Sequence, residues 1–311
     1  MKTYAFGIDV GGTNIKIGLF KTDGTLVETW EIPTRIEEKG KYILEEIAGA
    51  IQSKVKEHNI ENDIEGIGLA VPGPVNNDGI VLNCVNLGWG KTNAKEIMEN
   101  LVHYPVTIGK DSNVAALGEM WLGGGQGYKN VVMITLGTGV GCGIVIDGKS
   151  FTGAFGAAGE FGHVNIRDDE SEPCGCGKKG CFEQYASANG IVRVTKRYLA
   201  SHIDDTILRS YNPLTAKDIC NAAKDGDTVA LMMLDLEGKM LGRALGGAAC
   251  LLNPEVFIIG GGLSKAGDIL LKPIEKWFMH YCNITMTNTE FKLATLGNNA
   301  GIYGAFNRLM G

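Results

Sequence analysis

The chain has 311 residues, 44% hydrophobic and 21% charged, which is enough apolar material for two ordinary cores and too much for a disordered chain. Its formal net charge of −6 argues against the broad basic face that nucleic acid requires, and no apolar run reaches membrane-spanning length. The opening Met1-Lys2-Thr3-Tyr4-Ala5-Phe6 enters a strand-like segment without a signal-peptide pattern, and unpaired cysteines suit a reducing compartment, so the expected location is the cytoplasm.

Residues 4–9 and 15–20 are apolar runs joined by Val10-Gly11-Gly12-Thr13-Asn14, and Asp23-Gly24 turns the chain into an alternating run over 26–32. Three strands joined by turns are expected there. Ile43, Leu44, Ile47, Ile51 and Val55 recur at helical spacing within 40–58. A strand at 64–71 ends at Pro72-Gly73-Pro74, a long loop follows, and a short helix is expected over 93–102. A strand at 105–109 leads to Asp111, with a helix from near Asn113. The pattern then restarts: an apolar run at 131–136, Gly137-Thr138-Gly139-Val140-Gly141, a second run at 142–146 and an Asp147-Gly148 turn. The second half thus echoes the first. Helices are expected over 187–201, 215–224 and 227–252. A strand at 255–259 enters Gly260-Gly261-Gly262, followed by a helix over 264–280, a strand near 291–296 and a terminal helix from near 299.

The block from Glu160 to Glu183 carries the most specific chemistry. Cys174, Cys176 and Cys181, with His163 upstream, have the spacing of a closed Cys3His zinc site. Gly175, Gly177 and Gly180 let the backbone bend around one ion, because glycine takes positive φ at little steric cost. Four protein ligands leave no open position for water, so the zinc is expected to be structural. It would fix a loop so that Glu160, His163 and Glu183 face one small polar ligand. Packing alone explains such a cluster poorly. The other five cysteines (Cys84, Cys142, Cys220, Cys250, Cys282) are scattered and read as core residues.

Gly11-Gly12-Thr13 and Gly137-Thr138-Gly139 have two readings. Successive backbone N–H groups in such a turn form a nest for phosphate oxygens, and the same glycines serve a plain β-hairpin. Recurrence in both halves favours the phosphate reading. Neither turn is a P-loop, and neither opens a helix as a dinucleotide fingerprint does. Gly260-Gly261-Gly262 suits close backbone approach to a flat ligand such as adenine, or simply a strand-to-helix turn. Asp9 could hold a water on Mg2+ or cap its turn. Asp111 could accept a proton from a substrate hydroxyl or cap the helix that follows.

Together these motifs resemble the ROK family of sugar kinases and repressors over essentially the whole chain. The resemblance rests on Gly159-Glu160-Phe161-Gly162-His163 with the three cysteines, on Asp9-Val10-Gly11-Gly12-Thr13, on Leu136 to Gly141 and on Gly260-Gly261-Gly262. Val85-Asn86-Leu87-Gly88-Trp89 and Asp111 to Glu119 are most similar to glucose-phosphorylating members from low-GC Gram-positive bacteria. It implies an α/β actin-like ATPase fold of the hexokinase, ribonuclease H-like type. A small domain (1–118 plus 299–311) and a large one (119–298) would flank a central cleft. It also implies ATP-dependent phosphorylation of the 6-hydroxyl of glucose. The alternatives are N-acetylglucosamine, N-acetylmannosamine, allose or fructose as the sugar, or a ROK regulator that binds sugar without catalysis. Repressors of the family carry a DNA-binding segment before the first phosphate loop, and only eight residues precede Asp9.

By the same resemblance Asp111 is the catalytic base, and Gly73, Asn86, Asn113, Glu160, His163 and Glu183 bind the sugar. His163 also holds zinc through its other ring nitrogen. Asp9, Gly11, Gly12, Thr13, Gly137, Thr138, Gly139, Gly260, Gly261 and Gly262 bind Mg-ATP. A homodimer or homotetramer is implied, and no nucleic-acid or membrane partner. The chain departs from the family pattern at Lys110, usually Asn, at Ser112, usually Ala, and at Cys142 and Ala157-Ala158, usually glycine.

Overall fold

Two five-stranded sheets organise the chain in a computed structural model that describes residues 2–311. The first sheet runs β3-β2-β1-β4-β5, from β1 (Tyr4–Val10), β2 (Asn14–Lys21), β3 (Leu26–Pro33), β4 (Ile64–Val71) and β5 (Val106–Lys110). The second runs β10-β9-β6-β7-β8, from β6 (Val131–Leu136), β7 (Val140–Ile146), β8 (Lys149–Ser150), β9 (Val256–Gly260) and β10 (Glu290–Leu293). Adding five to each strand number of the first sheet reproduces the order of the second. The echo read from the glycine-threonine turns is therefore a repeated topology. In each sheet the central strand pairs in parallel with the strand beyond it: β1 with β4 and then β5, β6 with β9 and then β10.

Eight helices of nine or more residues join these strands among the described residues: α1 (Ile43–His58), α2 (Ala94–Val102), α3 (Asp111–Leu122), α4 (Ala188–Ser201), α5 (Ala216–Lys224), α6 (Thr228–Leu252), α7 (Asp268–Tyr281) and α8 (Ala300–Met310). None is long and apolar enough to cross a membrane. The chain divides into two units. One comprises the residues up to Lys129 with Gly143–Gly159 and Leu296–Gly311, and the other comprises Asn130–Cys142 and Glu160–Thr295. The expected boundary at residue 118 differs from this division, since residues 119–129 and 143–159 group with the first unit.

In the first unit, Ile43, Ile47, Ile51 and Val55 of α1 pack in one cluster with Phe6, Ile8, Ile15, Ile17 and Leu69 of the sheet. Helix α8 packs through Ile302 and Phe306 against Ala5 and Phe20, and through Ala305 against Ala70 and Val114. Burying each such Ile or Phe side chain stabilises the fold by about 1.5–3 kcal/mol. The approach is so close that a side chain on Gly68 would meet the Ala305 carbonyl. In the second unit α6 and α7 cross where Gly238 and Gly242 face Pro273 and Phe278, and Phe257, Phe278 and Phe291 meet as an aromatic cluster.

The long loop after Pro72-Gly73-Pro74 is more ordered than its composition suggests. Bridges Val75↔Val81, Val81↔Thr92 and Cys84↔Trp89 fold it back on itself, and Trp89 Nε1 donates to the Gly40 carbonyl at 3.0 Å. Isolated bridges and one long-range hydrogen bond leave no period in the sequence. Two cysteine expectations need correction. Cys84, Cys142 and Cys220 are buried, but Cys250 is exposed and Cys282 half-buried. Cys250 lies on a solvent-facing position near the end of α6, and Cys282 follows the last residue of α7.

Candidate active site

Parallel strands deliver functional groups at their carboxyl ends, and the register of the first sheet does so here. Asp9 pairs with Ala70, Ala70 with Gly109, and Val71 with Lys110. Asp9, the Pro72-Gly73-Pro74 turn and Asp111 therefore emerge along one edge. Asp9 is half-buried, and its pKa is pushed up to about 7, first by burial and then by the negative charge of Asp111, with Lys16 opposing. A Cβ on Gly301, in the first turn of α8, would strike the Asp9 carboxylate, so the partly positive helix end lies against that group. Two neighbouring carboxylates repel each other, and a hard divalent cation such as Mg2+, which takes oxygen ligands, would relieve that repulsion.

Asp111 is the first residue of α3 rather than its cap. Lys110 occupies the cap position, and its side chain makes no capping hydrogen bond. The Asp111 carboxylate accepts the Ser112 N–H at 2.6 Å. Lys110 is buried and its ammonium donates to the Gly159 carbonyl at 3.4 Å. Asn113 is buried as well: Oδ1 accepts the Ile144 N–H at 3.2 Å, and Nδ2 has no partner, an orphaned donor of the kind a ligand oxygen satisfies. Asn86 is exposed in a short 3₁₀ turn, Val85–Leu87. Gly73 has φ +99°, and a side chain there would hit the Asn83 carbonyl. In the first glycine turn, Gly11 N–H donates to Asn14 O at 3.0 Å, and Gly12 faces open space.

In the second unit the structure brings Glu160, His163 and Glu183 together. His163 Nε2 lies 3.8 Å from Glu160 Oε2, and His163 Nδ1 lies 3.6 Å from Glu183 Oε1. Glu183 starts a single helical turn, Glu183–Ala186; its Oε2 accepts the Val140 N–H at 3.3 Å and its Oε1 receives the Cys174 thiol at 3.0 Å. This carboxylate thus joins the cysteine cluster to the second glycine turn, where a side chain on Gly139 would meet it. Gly137 O accepts the N–H of Ala188, the first residue of α4, at 2.9 Å, and Gly137 N–H donates to Gly139 O at 3.0 Å. Gly261, at φ +82°, lies so close to the Leu136 backbone that no side chain fits, while Gly262 faces open space.

The metal-ligand set passes a geometric test. The ligand atoms of His163, Cys174, Cys176 and Cys181 all lie within 4.8 Å of one another. Tetrahedral zinc held about 2.3 Å from thiolates separates its ligand sulfurs by about 3.8 Å. Cys176 Sγ and Cys181 Sγ are 3.6 Å apart, and Cys174 Sγ is 3.8 Å from His163 Nδ1. Gly177 and Gly180 take φ of +85° and +72° as the bend requires. Gly175, expected to bend likewise, does not enter the left-handed region. Burial pushes the Cys174 thiol well above its ordinary pKa, so a metal must displace that proton.

A second anchor holds this loop, and sequence reading missed it. The Glu170 side chain is 1% exposed and accepts from Arg193 Nη2 at 2.9 Å, from both Nη atoms of Arg197 at 3.0 Å and from the Tyr185 hydroxyl. The partners are 15 to 27 residues away, so no local pattern betrays them. The Arg197 hydrogen bond is the main reason the Glu170 carboxyl lies well below the usual range. A depressed carboxylate pKa stabilises the fold above the unfolded value and loses that contribution as pH falls through the folded one. Glu170→Gln should therefore cost about 2–3 kcal/mol in urea unfolding at pH 7, given partly exposed arginines. The gap to the parent should shrink as the pH drops below the ordinary glutamate value of about 4.3. A gap that stays constant down to pH 3 would refute the linkage.

Residues 5–309 match the family model described as ROK family. The chain is 44% identical over 304 residues to a glucokinase from Halalkalibacterium halodurans, covering 96% of this chain and 92% of that protein. It is 32% identical to a xylose repressor from Caldicellulosiruptor bescii, covering 87% of this chain and 68% of the repressor. A crystal structure of a ROK family glucokinase from Streptomyces griseus, in complex with glucose and AMPPNP, superposes with a TM-score of 0.77 at 34% identity, covering 98% of each chain.

Proposed function

The chain belongs to the ROK family, and we propose that it phosphorylates the 6-hydroxyl of glucose with ATP. The observation that carries the reading is the pair of neighbouring carboxylates at the carboxyl edge of the first sheet, Asp9 beside a glycine turn and Asp111 at the head of α3. It gains support from the glucokinase relatives and from the bound glucose and nucleotide analogue of the Streptomyces griseus enzyme.

In this reading Asp111 accepts the proton of the 6-hydroxyl. That oxygen forms a bond to the γ-phosphorus as the bond from γ-phosphorus to the bridging oxygen breaks, and ADP leaves. The transition state is loose, so positioning and charge neutralisation do most of the work. Asp9 would hold Mg2+ through water, and the ion would neutralise charge on the phosphates. The two glycine-threonine turns offer N–H groups to the phosphates, and Gly260-Gly261-Gly262 lies along the adenosine. Asn86 and Asn113 of the first unit and Glu160 and His163 of the second bind sugar hydroxyls in this reading, and Glu183 steadies both His163 and the second glycine turn. Zinc on His163, Cys174, Cys176 and Cys181 would be structural, holding Nδ1 so that Nε2 stays turned toward Glu160. A coupled assay with ATP and a panel of hexoses and N-acetylhexosamines tests the reading. Glucose should give the highest kcat/KM. Preference for another sugar would move the substrate, and phosphate transfer to none would end the kinase reading.

A further inference from the structure

A cleft of about 320 Å³ in the first unit is lined by the first residues of β5, the β8 hairpin, the first turn of α2 and the end of α8. That volume is at the lower end for small-molecule sites, which run to about 1,000 Å³. Its lining carries three cations, Lys95, Lys149 and Arg308, and no aspartate or glutamate side chain. Thr107 and Ser150 also line it, and both hydroxyls are buried without a partner.

None of the three cations has a carboxylate within ion-pairing distance among the described residues. The acidic neighbours in sequence are engaged elsewhere: Glu96 receives Asn93 Nδ2 at 2.5 Å, Asp78 receives Asn76 Nδ2 at 3.3 Å, and Glu99 receives the Val106 N–H at 3.1 Å. Asp147, beside the hairpin, also has a partner. Arg308 is held in place by Nε, which donates to Ile108 O at 3.1 Å, and burial pushes its pKa down. Among the described residues its Nη groups have no protein acceptor, which leaves a planar fork matched to two oxygens of one anion. The stem of Lys95 packs over Gly79, which takes φ +77°. Lys149 is exposed and Lys95 half-buried, so water screens both, and the half-buried Arg308 fork is the group that an anion would complete.

We propose that this cleft binds a phosphate dianion, free or as the monoester of a small sugar, with Arg308 as the bidentate fork and Lys95 and Lys149 as point charges. The cleft includes no residue of the proposed catalytic machinery, although β5, which supplies Val106, Thr107 and Ile108, runs on to Lys110 and Asp111. The site stands whether or not the glucose reading holds.

Isothermal titration tests it on full-length protein saturated with glucose and Mg-AMPPNP, so that phosphate loops and sugar pocket are filled. One arm titrates inorganic phosphate and the other glucose 6-phosphate. Saturable binding near one per chain is expected in at least one arm, and tighter binding of the ester would identify a sugar phosphate as the source. Lys95→Gln with Lys149→Gln should weaken binding at least tenfold, and Arg308→Lys should weaken it severalfold by removing the fork. The double variant should keep its basal KM values in phosphate-free buffer. Absence of saturable binding in both arms, or equal binding by parent and double variant, overturns the proposal.

Discussion

Asp111→Asn should fold and bind glucose like the parent and lose turnover by about 10²–10⁴-fold, the usual contribution of a general base. The substitution is close to isosteric. Its Oδ1 can still accept the Ser112 N–H, so the one first-turn contact that the Asp111 side chain makes is kept. The structural cost is therefore small and the chemical cost large, since an amide cannot take the proton of the attacking hydroxyl. Removing the Asp111 charge also removes the second cause of the high Asp9 pKa, so Asp9 should titrate lower in the variant. Steady-state kinetics and circular dichroism would separate the effects. A kcat within threefold of the parent, in folded protein, would exclude Asp111 as the base.

That experiment bears on what the sequence could and could not reveal. Asp111-Ser112-Asn113 reads equally well as a cap or as a base, because both use a carboxylate at the start of a helix. The structure puts Lys110 at the cap position and lets the Asp111 carboxylate accept the Ser112 N–H of the first turn, an arrangement that serves either use. The doubled topology was legible because each half opens with the same chemistry, apolar strand, glycine-threonine turn, apolar strand, and turns are local. Strands β1, β4 and β6 matched their apolar runs to within a residue for the same reason. The bridged excursion between Val75 and Thr92, the two-residue strand β8 and the helical turn at Glu183 were not legible. Each is too short, or too irregular, to leave a hydrophobic period in the sequence. The arginine anchors of Glu170 and the cation cleft were not legible either. The anchor draws on three segments and the cleft on more, and only folding puts them side by side. The cysteine cluster lies at the other extreme, since its spacing alone announced the ligand set.

Cys176→Ser should abolish zinc binding and raise the glucose KM at least tenfold while the fold survives. Cys176 is exposed, so its replacement removes a ligand and little packing. The loop has other supports: the Asn165↔Cys181 and Pro173↔Lys179 bridges, Gln184 Oε1 on the Cys181 N–H at 3.0 Å, and the buried Glu170 with its arginines. Those contacts hold the backbone. They do not hold the imidazole. His163 is exposed, and no hydrogen bond to a backbone group fixes its ring among the described residues. A metal on Nδ1 fixes ring orientation and tautomer together, and thereby what Nε2 presents to a sugar hydroxyl. Without it only the longer approaches of Glu160 and Glu183, at 3.8 and 3.6 Å, hold the ring, and the loss falls on sugar binding more than on the chemistry at Asp111. Elemental analysis should find one zinc per chain in the parent and none in the variant. The glucose KM should rise with a smaller change in kcat, and the KM for ATP should change least. Zinc-free protein with an unchanged glucose KM would show that the Glu170 anchor alone shapes the loop and that the thiolates serve some other purpose.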